Sequence, residues 1–160
     1  MKVGILLVLL LVACAAIYGF AAMCPCERTP GLWLLGEQAS EPVRDWSFAN
    51  DVGLCQLEVP GIVPHSINLN CMASDSGQLY LSCSRCDGKY WSTIAMREGR
   101  GRIRIGETVF GVSLTRVSSA TELDVAWLAR ADKTTRGDSS REVPPRPDHW
   151  WSFRLESSLH

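Results

Sequence analysis

The chain has 160 residues, which suffices for one folded domain with a substantial core and for little else. Its formal net charge at pH 7 is −1, so the composition argues against nucleic acid as a partner, because no basic field is present. Six tryptophans are spread along the chain and suit either core corners or a ring-stacking pocket.

The first predicted element is an apolar segment at the N-terminus. From Val3 to Met23 the chain has 21 residues without a charge, about 31 Å of helix at roughly 1.5 Å per residue. This length predicts that residues 1–23 are a transmembrane anchor that contacts membrane lipid through residues 3–23. The alternative is a lipoprotein signal, because Leu11-Val-Ala-Cys14 resembles a bacterial cleavage box with Cys14 as the lipidated residue.

The charges that flank this segment predict on which side of the membrane the domain lies. Lys2 marks the short side, whereas Glu27 and Arg28 cancel beyond the span, so the domain is predicted to be periplasmic or otherwise extracytoplasmic. Six further cysteines permit up to three disulfides there, with 15 alternative pairings. They are Cys24, Cys26, Cys55, Cys71, Cys83 and Cys86.

Residues 24–45 are rich in proline, glycine and charge, which is typical of a juxtamembrane linker. The linker contains one apolar patch, Leu32-Trp33-Leu34-Leu35, predicted to dock on the domain or on the lipid interface.

Alternating apolar and polar residues predict a strand-rich domain over residues 46–156. A hairpin turn is expected at Asp75-Ser-Gly77, and Gly99–Gly101 ends a short amphipathic helix. A capping box at Ser119–Glu122 begins a second helix that reaches about Asp132. The predicted elements begin with strands Leu54–Val59, His65–Met72 and Gln78–Cys83, followed by helix Lys89–Glu98. Two strands come next, from Arg102 to Ile105 and Thr108–Val117. The capped helix, a loop Lys133–Asp148 and strand His149–Glu156 complete the domain.

The order of these elements predicts the architecture. Five short antiparallel strands with one inserted helix, a second helix and a returning strand need closure to hide their edges, which favours a small barrel.

This order, with the Gly88-Lys89 turn, the GRIRIG segment and the terminal WSFRL strand, resembles the FMN-binding split-barrel superfamily. That superfamily includes pyridoxamine-5'-phosphate-oxidase-like flavoproteins and deazaflavin-dependent nitroreductase relatives. The predicted fold class is therefore mainly β with two helices, a small antiparallel split β-barrel, plus the N-terminal transmembrane helix. The resemblance covers residues 46–156 and implies bound FMN, or a related flavin or deazaflavin, in a homodimer.

The resemblance also implies cofactor-binding residues. Lys89 would bind the flavin phosphate, and a cation at a helix N-terminus suits this role because free N–H groups point the same way. The other implied contacts are hydroxyl, amide and guanidinium groups on nearby strands: Ser82, Ser84, Ser66, Asn68, Arg102 and Arg104. No catalytic residue is identified.

Cys83 and Cys86 have the C-x-x-C spacing of a metal knuckle or a redox dithiol. Cys71, across the hairpin, would supply a third metal ligand. The alternative, favoured outside the cytoplasm, is that disulfides pin the hairpin and the linker.

Two functional hypotheses follow. The first is a membrane-anchored flavin-binding protein that acts as an oxidoreductase on a small acceptor. The second is a non-catalytic, disulfide-stabilised barrel that serves as an interaction or assembly subunit at the membrane surface, with an envelope protein as partner.

Overall fold

The computed structural model describes residues 2–23, 30–135 and 142–158. Its elements in chain order are α1 (Lys2–Met23), β1 (Glu37–Gln38), a 3-10 helix (Ser47–Asp51), β2 (Cys55–Val59), β3 (His65–Ala73), β4 (Leu79–Cys83), α2 (Tyr90–Glu98), β5 (Arg100–Ile105), β6 (Thr108–Arg116), α3 (Ala120–Thr135) and β7 (Trp151–Ser157).

Six antiparallel strands form a closed barrel in the order β6-β5-β2-β3-β4-β7, and β7 pairs back onto β6. The closing register places Leu114 opposite Leu155. The two-residue strand β1 adds a short parallel pairing at the start of β6. The prediction of a mainly β fold with a closed antiparallel barrel is therefore confirmed.

Strict alternation decides which side chains fill the barrel, because successive residues of a strand point to opposite faces. On β2 the inward residues Cys55, Leu57 and Val59 are fully buried. On β4 the inward residues Leu79 and Leu81 are also fully buried. Helix α2 packs its apolar face, namely Trp91, Ile94 and Ala95, into the same core. Each large side chain buried in this way stabilises the fold by about 1.5–3 kcal/mol.

Helix α3 packs against the outside of the barrel and builds a second, smaller core. Met72 and Tyr80, on the outer faces of β3 and β4, meet Ala126 and Ala129 there. The predicted N-terminus is correct, and the Ser119 hydroxyl accepts a hydrogen bond from the Glu122 N–H at 3.5 Å. The predicted end at Asp132 is wrong, because the helix continues to Thr135.

The predicted linker packs on the barrel over the part that the structure describes, residues 30–45. Gly31 forms a bridge with Ser66 of β3, and Leu34 is only 2 % exposed, whereas Leu35 is exposed. The apolar patch therefore docks on the domain through Leu34.

Over the three described stretches, no helix combines the length and hydropathy that crossing a membrane requires, so the predicted transmembrane helix is not supported.

A disulfide joins Cys55 of β2 to Cys71 of β3 inside the core. Cys83 and Cys86 are free thiols, as is the exposed Cys14. The prediction of a disulfide-stabilised barrel is confirmed for Cys55–Cys71, whereas no bond pins the turn at Cys83. Cys24 and Cys26 lie outside the described residues.

Replacing both Cys55 and Cys71 with alanine is expected to lower the free energy of unfolding by about 3 kcal/mol, because the bond spans 16 residues. Urea unfolding followed by tryptophan fluorescence measures the change, and the wild-type chain in reductant is the comparison. A loss below about 1 kcal/mol in both samples would contradict a stabilising role for this bond.

Gly77 closes the β3–β4 hairpin and is expected to tolerate no side chain. Its φ is +77°, and an added Cβ would lie 2.7 Å from Oδ1 of Asp45. Gly77→Ala should therefore cost about 1–3 kcal/mol in urea unfolding. Gly53→Ala is the matched control, because no heavy atom lies within 4 Å of the added carbon. Equal effects of the two variants would contradict the argument.

Candidate functional site

The structure distributes the seven predicted cofactor contacts over several places. Lys89 lies just before α2, where its Nζ is 3.7 Å from Sγ of Cys83. Ser84 is exposed in the same turn, whereas Ser82 is buried on β4 between Asn70 and Ser152. In the turn predicted to bind phosphate, the ammonium group of Lys89 therefore contacts the thiol of Cys83.

Arg102 is bound within the protein by Glu58, which is only 7 % exposed. The guanidinium and the carboxylate make two hydrogen bonds, Nε to Oε1 at 3.0 Å and Nη2 to Oε2 at 2.6 Å. The same carboxylate accepts the N–H of Leu34 at 2.6 Å. Because a buried carboxylate needs these partners, Arg102 holds the segment around Leu34 on the barrel.

Ser66 is fully buried on β3, where its backbone pairs with Gly31. It lies opposite Glu58 in the β2–β3 register, and Glu58 lies opposite Arg102 in the β2–β5 register. Ser66 and Arg102 therefore belong to one cross-strand row that the segment around Leu34 covers.

Asn68 and Arg104 belong to the next row and do share an open cavity. Both lie opposite Gln56 of β2. The cavity has a volume of about 300 Å³, and we call it the Arg104 cavity. Its lining consists of Val52, Leu54, Gln56, Asn68, Arg104 and Gly106. Arg104 donates from Nη1 to the carbonyl of Leu35 at 2.8 Å, and a guanidinium group carries five N–H donors.

A second cavity of about 280 Å³ adjoins the first, since Val52 lines both. We call it the Lys133 cavity, and the two cavities together the outer groove. Its lining consists of Asn50, Asp51, Val52, Gly53, Asn70, Cys71, Met72, Arg130, Lys133 and Thr134. Sequence reasoning missed this cavity because Lys133 was assigned to a loop. Continuing the α3 pattern by one turn would have placed Arg130 and Lys133 at the same-face spacing of i and i+3.

Lys133 is a cation of the outer groove that is bound by backbone carbonyl groups. Its Nζ donates to the carbonyl oxygens of Ala49 at 2.7 Å and Cys71 at 2.6 Å. Burial lowers the pKa of Lys133 to about 8, and the negative charge of Asp51 opposes this shift. Near neutral pH the groove therefore contains a desolvated ammonium group beside Arg130.

The pKa of Lys133 predicts how stability depends on pH. A folded-state pKa of about 8 lies below the ordinary 10.5, so between these values the unfolded chain binds more protons than the folded one. The free energy of unfolding should therefore rise as pH increases from about 8 to 10.5. NMR titration of ¹³C-methylated lysines should find the low pKa, with Lys133→Arg to assign the signal.

Asp51→Asn tests the electrostatic part of this prediction. Removing the carboxylate charge should lower the pKa of Lys133 further, because Asp51 is the group that raises it. An unchanged pKa in Asp51→Asn, or an ordinary pKa in the wild type, would contradict the geometry of this cavity.

The turn that contains Lys89 also contains the two free thiols. The pKa of Cys83 is lowered to about 6, chiefly by a hydrogen bond from Cys86 and also by the Arg85 N–H and Lys89, while burial opposes the shift. The pKa of Cys86 is raised by the same hydrogen bond and by burial.

Cys71 is bonded to Cys55 and is not available as the third metal ligand. Among the described residues, no group of three or more histidine, cysteine or acidic side chains is arranged to hold a metal ion.

Comparison with known proteins identifies the fold. No protein-family model and no curated protein matches the sequence. A provisional pyridoxamine 5'-phosphate oxidase from Listeria innocua superimposes with a TM-score of 0.53 and 9 % identity, covering 70 % of this chain and 89 % of that one. A conserved hypothetical protein from Mycobacterium tuberculosis superimposes with a TM-score of 0.52 and 15 % identity, covering 77 % and 86 %.

A NimC/NimA family protein from Clostridium acetobutylicum has a TM-score of 0.49 and 13 % identity over 71 % of this chain and 78 % of its own, and at that score it adds nothing to the argument. The first two superpositions confirm the split-barrel fold predicted from the sequence. At these identities they establish the fold alone.

Proposed function

We propose that this chain binds a flavin-type cofactor, FMN or a deazaflavin, in the outer groove and acts as an oxidoreductase on a small acceptor. The observation that carries the proposal is that Asn68 and Arg104, two of the implied cofactor contacts, line one open cavity of about 300 Å³. The structural similarity to a protein described as a provisional pyridoxamine 5'-phosphate oxidase supports the proposal that this chain binds a flavin.

The residues of the Arg104 cavity suit an anionic, partly apolar ligand. Arg104 offers guanidinium N–H groups in a planar fork, which matches the oxygens of a phosphate. Asn68 contributes an amide group to the lining, and Val52 and Leu54 provide an apolar wall. The two adjoining cavities, about 300 and 280 Å³, fall near the lower end of the range for small-molecule sites.

Each residue has a distinct role in this proposal. Arg104 binds the anionic end of the cofactor, Asn68 orients its polar edge, and Val52 and Leu54 exclude water from its apolar part. When bound, the flavin supplies the electron-transfer chemistry, for which the protein supplies orientation. Lys89 is left out, because its ammonium group contacts Cys83.

Association into a homodimer is part of the same proposal. Leu54 lines the Arg104 cavity and is half exposed. A second copy packed over this edge would cover the apolar surface and close the groove. Light scattering on the purified chain measures its oligomeric state, and added FMN should shift the equilibrium from monomer toward dimer.

The cofactor proposal predicts that Arg104→Gln weakens FMN binding by about tenfold or more, since a hydrogen bond to a charged group is worth about 1.5–3 kcal/mol. Quenching of flavin fluorescence during titration of the purified chain measures the affinity. Arg100→Gln is the matched control, because Arg100 points to the same side of β5 but lines a different cavity.

Equal affinities of the two arginine variants would contradict the assigned site. A wild-type chain that has neither a visible flavin spectrum after purification nor micromolar affinity for FMN or a deazaflavin would overturn the proposed function.

One observation favours the second hypothesis, a non-catalytic subunit with an envelope protein as partner. The Cys55–Cys71 bond joins two neighbouring strands within the core, and Ile62 and Val63 in the β2–β3 loop are exposed apolar residues. A wild-type chain that binds no flavin but does bind an envelope protein, and that loses this binding in Ile62→Ser, would support this function instead.

A further inference from the structure

The turn between β4 and α2 places two free thiols and a lysine together. Cys83 is the last residue of β4, Cys86 follows in the turn, and Lys89 comes just before α2. Cys83 is 7 % exposed and Cys86 is fully buried. Of the two residues only Cys83 keeps any solvent exposure, so a reagent from solvent would meet Cys83 first.

The Cys86 Sγ donates to the backbone carbonyl oxygen of Cys83 at 3.7 Å, which holds the Cys86 thiol against Cys83. The ammonium group of Lys89, 3.7 Å from Sγ of Cys83, places a positive charge beside the same atom. A thiolate is stabilised by such neighbours, and reactive cysteines lie in surroundings of this kind. The arrangement thus pairs the slightly exposed Cys83, which has a cation beside its sulfur, with the fully buried Cys86.

The backbone of the turn is fixed by its own hydrogen bonds. The hydroxyl of Ser92 donates to the carbonyl oxygens of both Cys86 and Lys89, and the N–H of Lys89 donates to the Cys86 carbonyl at 3.2 Å. These bonds fix the backbone of the turn that holds the two cysteines at C-x-x-C spacing, which is the spacing of disulfide oxidoreductases.

We propose that Cys83 and Cys86 form a redox-active dithiol that reduces disulfide compounds by thiol–disulfide exchange, with Cys83 as the attacking sulfur and Cys86 as the resolving one. The substrate class is a disulfide, either a small molecule or an exposed protein disulfide. The site lies apart from the outer groove, because neither Cys83 nor Cys86 lines either of its cavities. The inference is therefore independent of flavin binding.

The exchange balances in two steps. The Cys83 thiolate attacks one sulfur of the substrate disulfide, so a bond to Cys83 forms, the substrate S–S bond breaks and one thiolate leaves. Cys86 then gives up its proton and attacks Cys83 as the thiolate, which forms the Cys83–Cys86 bond and displaces the second substrate sulfur, and that product leaves as a thiol with the proton. The dithiol loses two electrons and the substrate disulfide gains them.

The charges around the pair predict its pH dependence. Lys89 faces Cys83 from the turn, the Cys86 thiol faces it from the core side, and Arg116 of β6 acts on Cys86. Since the pKa of Cys83 is about 6, the first step should reach half of its maximal rate near pH 6. An ordinary thiol would reach that point only near its usual pKa of about 8.5.

The first experiment exposes the reduced, full-length chain to glutathione disulfide and locates the products by peptide mass mapping. Cys86→Ser should retain glutathione on Cys83, because the resolving sulfur is missing. The wild type should instead contain a Cys83–Cys86 bond and release two equivalents of glutathione. Mapping separates these products from adducts at Cys14, Cys24 and Cys26.

The second experiment measures the rate of glutathione addition to Cys83 against pH in two charge variants. Lys89→Gln should slow the reaction several-fold at pH 6 and move its midpoint to higher pH. Arg97→Gln is the matched control, because Arg97 is an exposed cation on α2 that pairs with Glu98. It should leave the profile unchanged.

Three results would overturn the proposal. In the first, the wild type keeps glutathione on Cys83 and never forms the internal bond. In the second, Cys83 reacts with a midpoint at the pKa of an ordinary thiol. In the third, Lys89→Gln and Arg97→Gln behave alike. The wild-type and lysine measurements decide the question even if Cys86→Ser fails to fold.

Discussion

The pairing of β6 with β7 is the constraint on which the rest of this structure depends. Residues Val112–Arg116 pair with Phe153–Ser157, and this ladder turns a six-stranded sheet into a barrel. Once closed, every strand has a fixed inner and outer face, and a register slip of one residue would exchange them along that strand. The main buried core inside the barrel and the polar outer rows both follow from this closure.

The outer face shows how two similar side chains acquire different roles on one strand. Arg102 and Arg104 are two residues apart on β5 and point the same way, yet only Arg102 meets a buried carboxylate. The Glu58–Arg102 pair also binds the N–H of Leu34, so it secures the segment before β1 against the barrel. Arg104 lies in the next row, opposite Gln56, where the surface opens into a cavity.

The cysteines divide in the same way, by position in the barrel. Cys55 and Cys71 lie on adjacent strands within the core and are bonded, with their Cα atoms 5.7 Å apart. Cys83 and Cys86 lie where β4 leaves the barrel, next to the charge of Lys89, and are free. One pair thus stabilises the fold, and the other has the surroundings of a reactive thiol.

The sequence by itself determined most of the strands and helices and the barrel class, because alternation and helical spacing are local properties and short antiparallel strands need closure. It also determined that Asn68 and Arg104 point outward. Only the tertiary structure decided which outward side chains meet: that Glu58 binds Arg102, that Lys89 approaches Cys83, and that Lys133 belongs to a cavity with Asn70. Such meetings depend on the register between distant strands and on the direction in which α3 crosses them, and no local pattern encodes either.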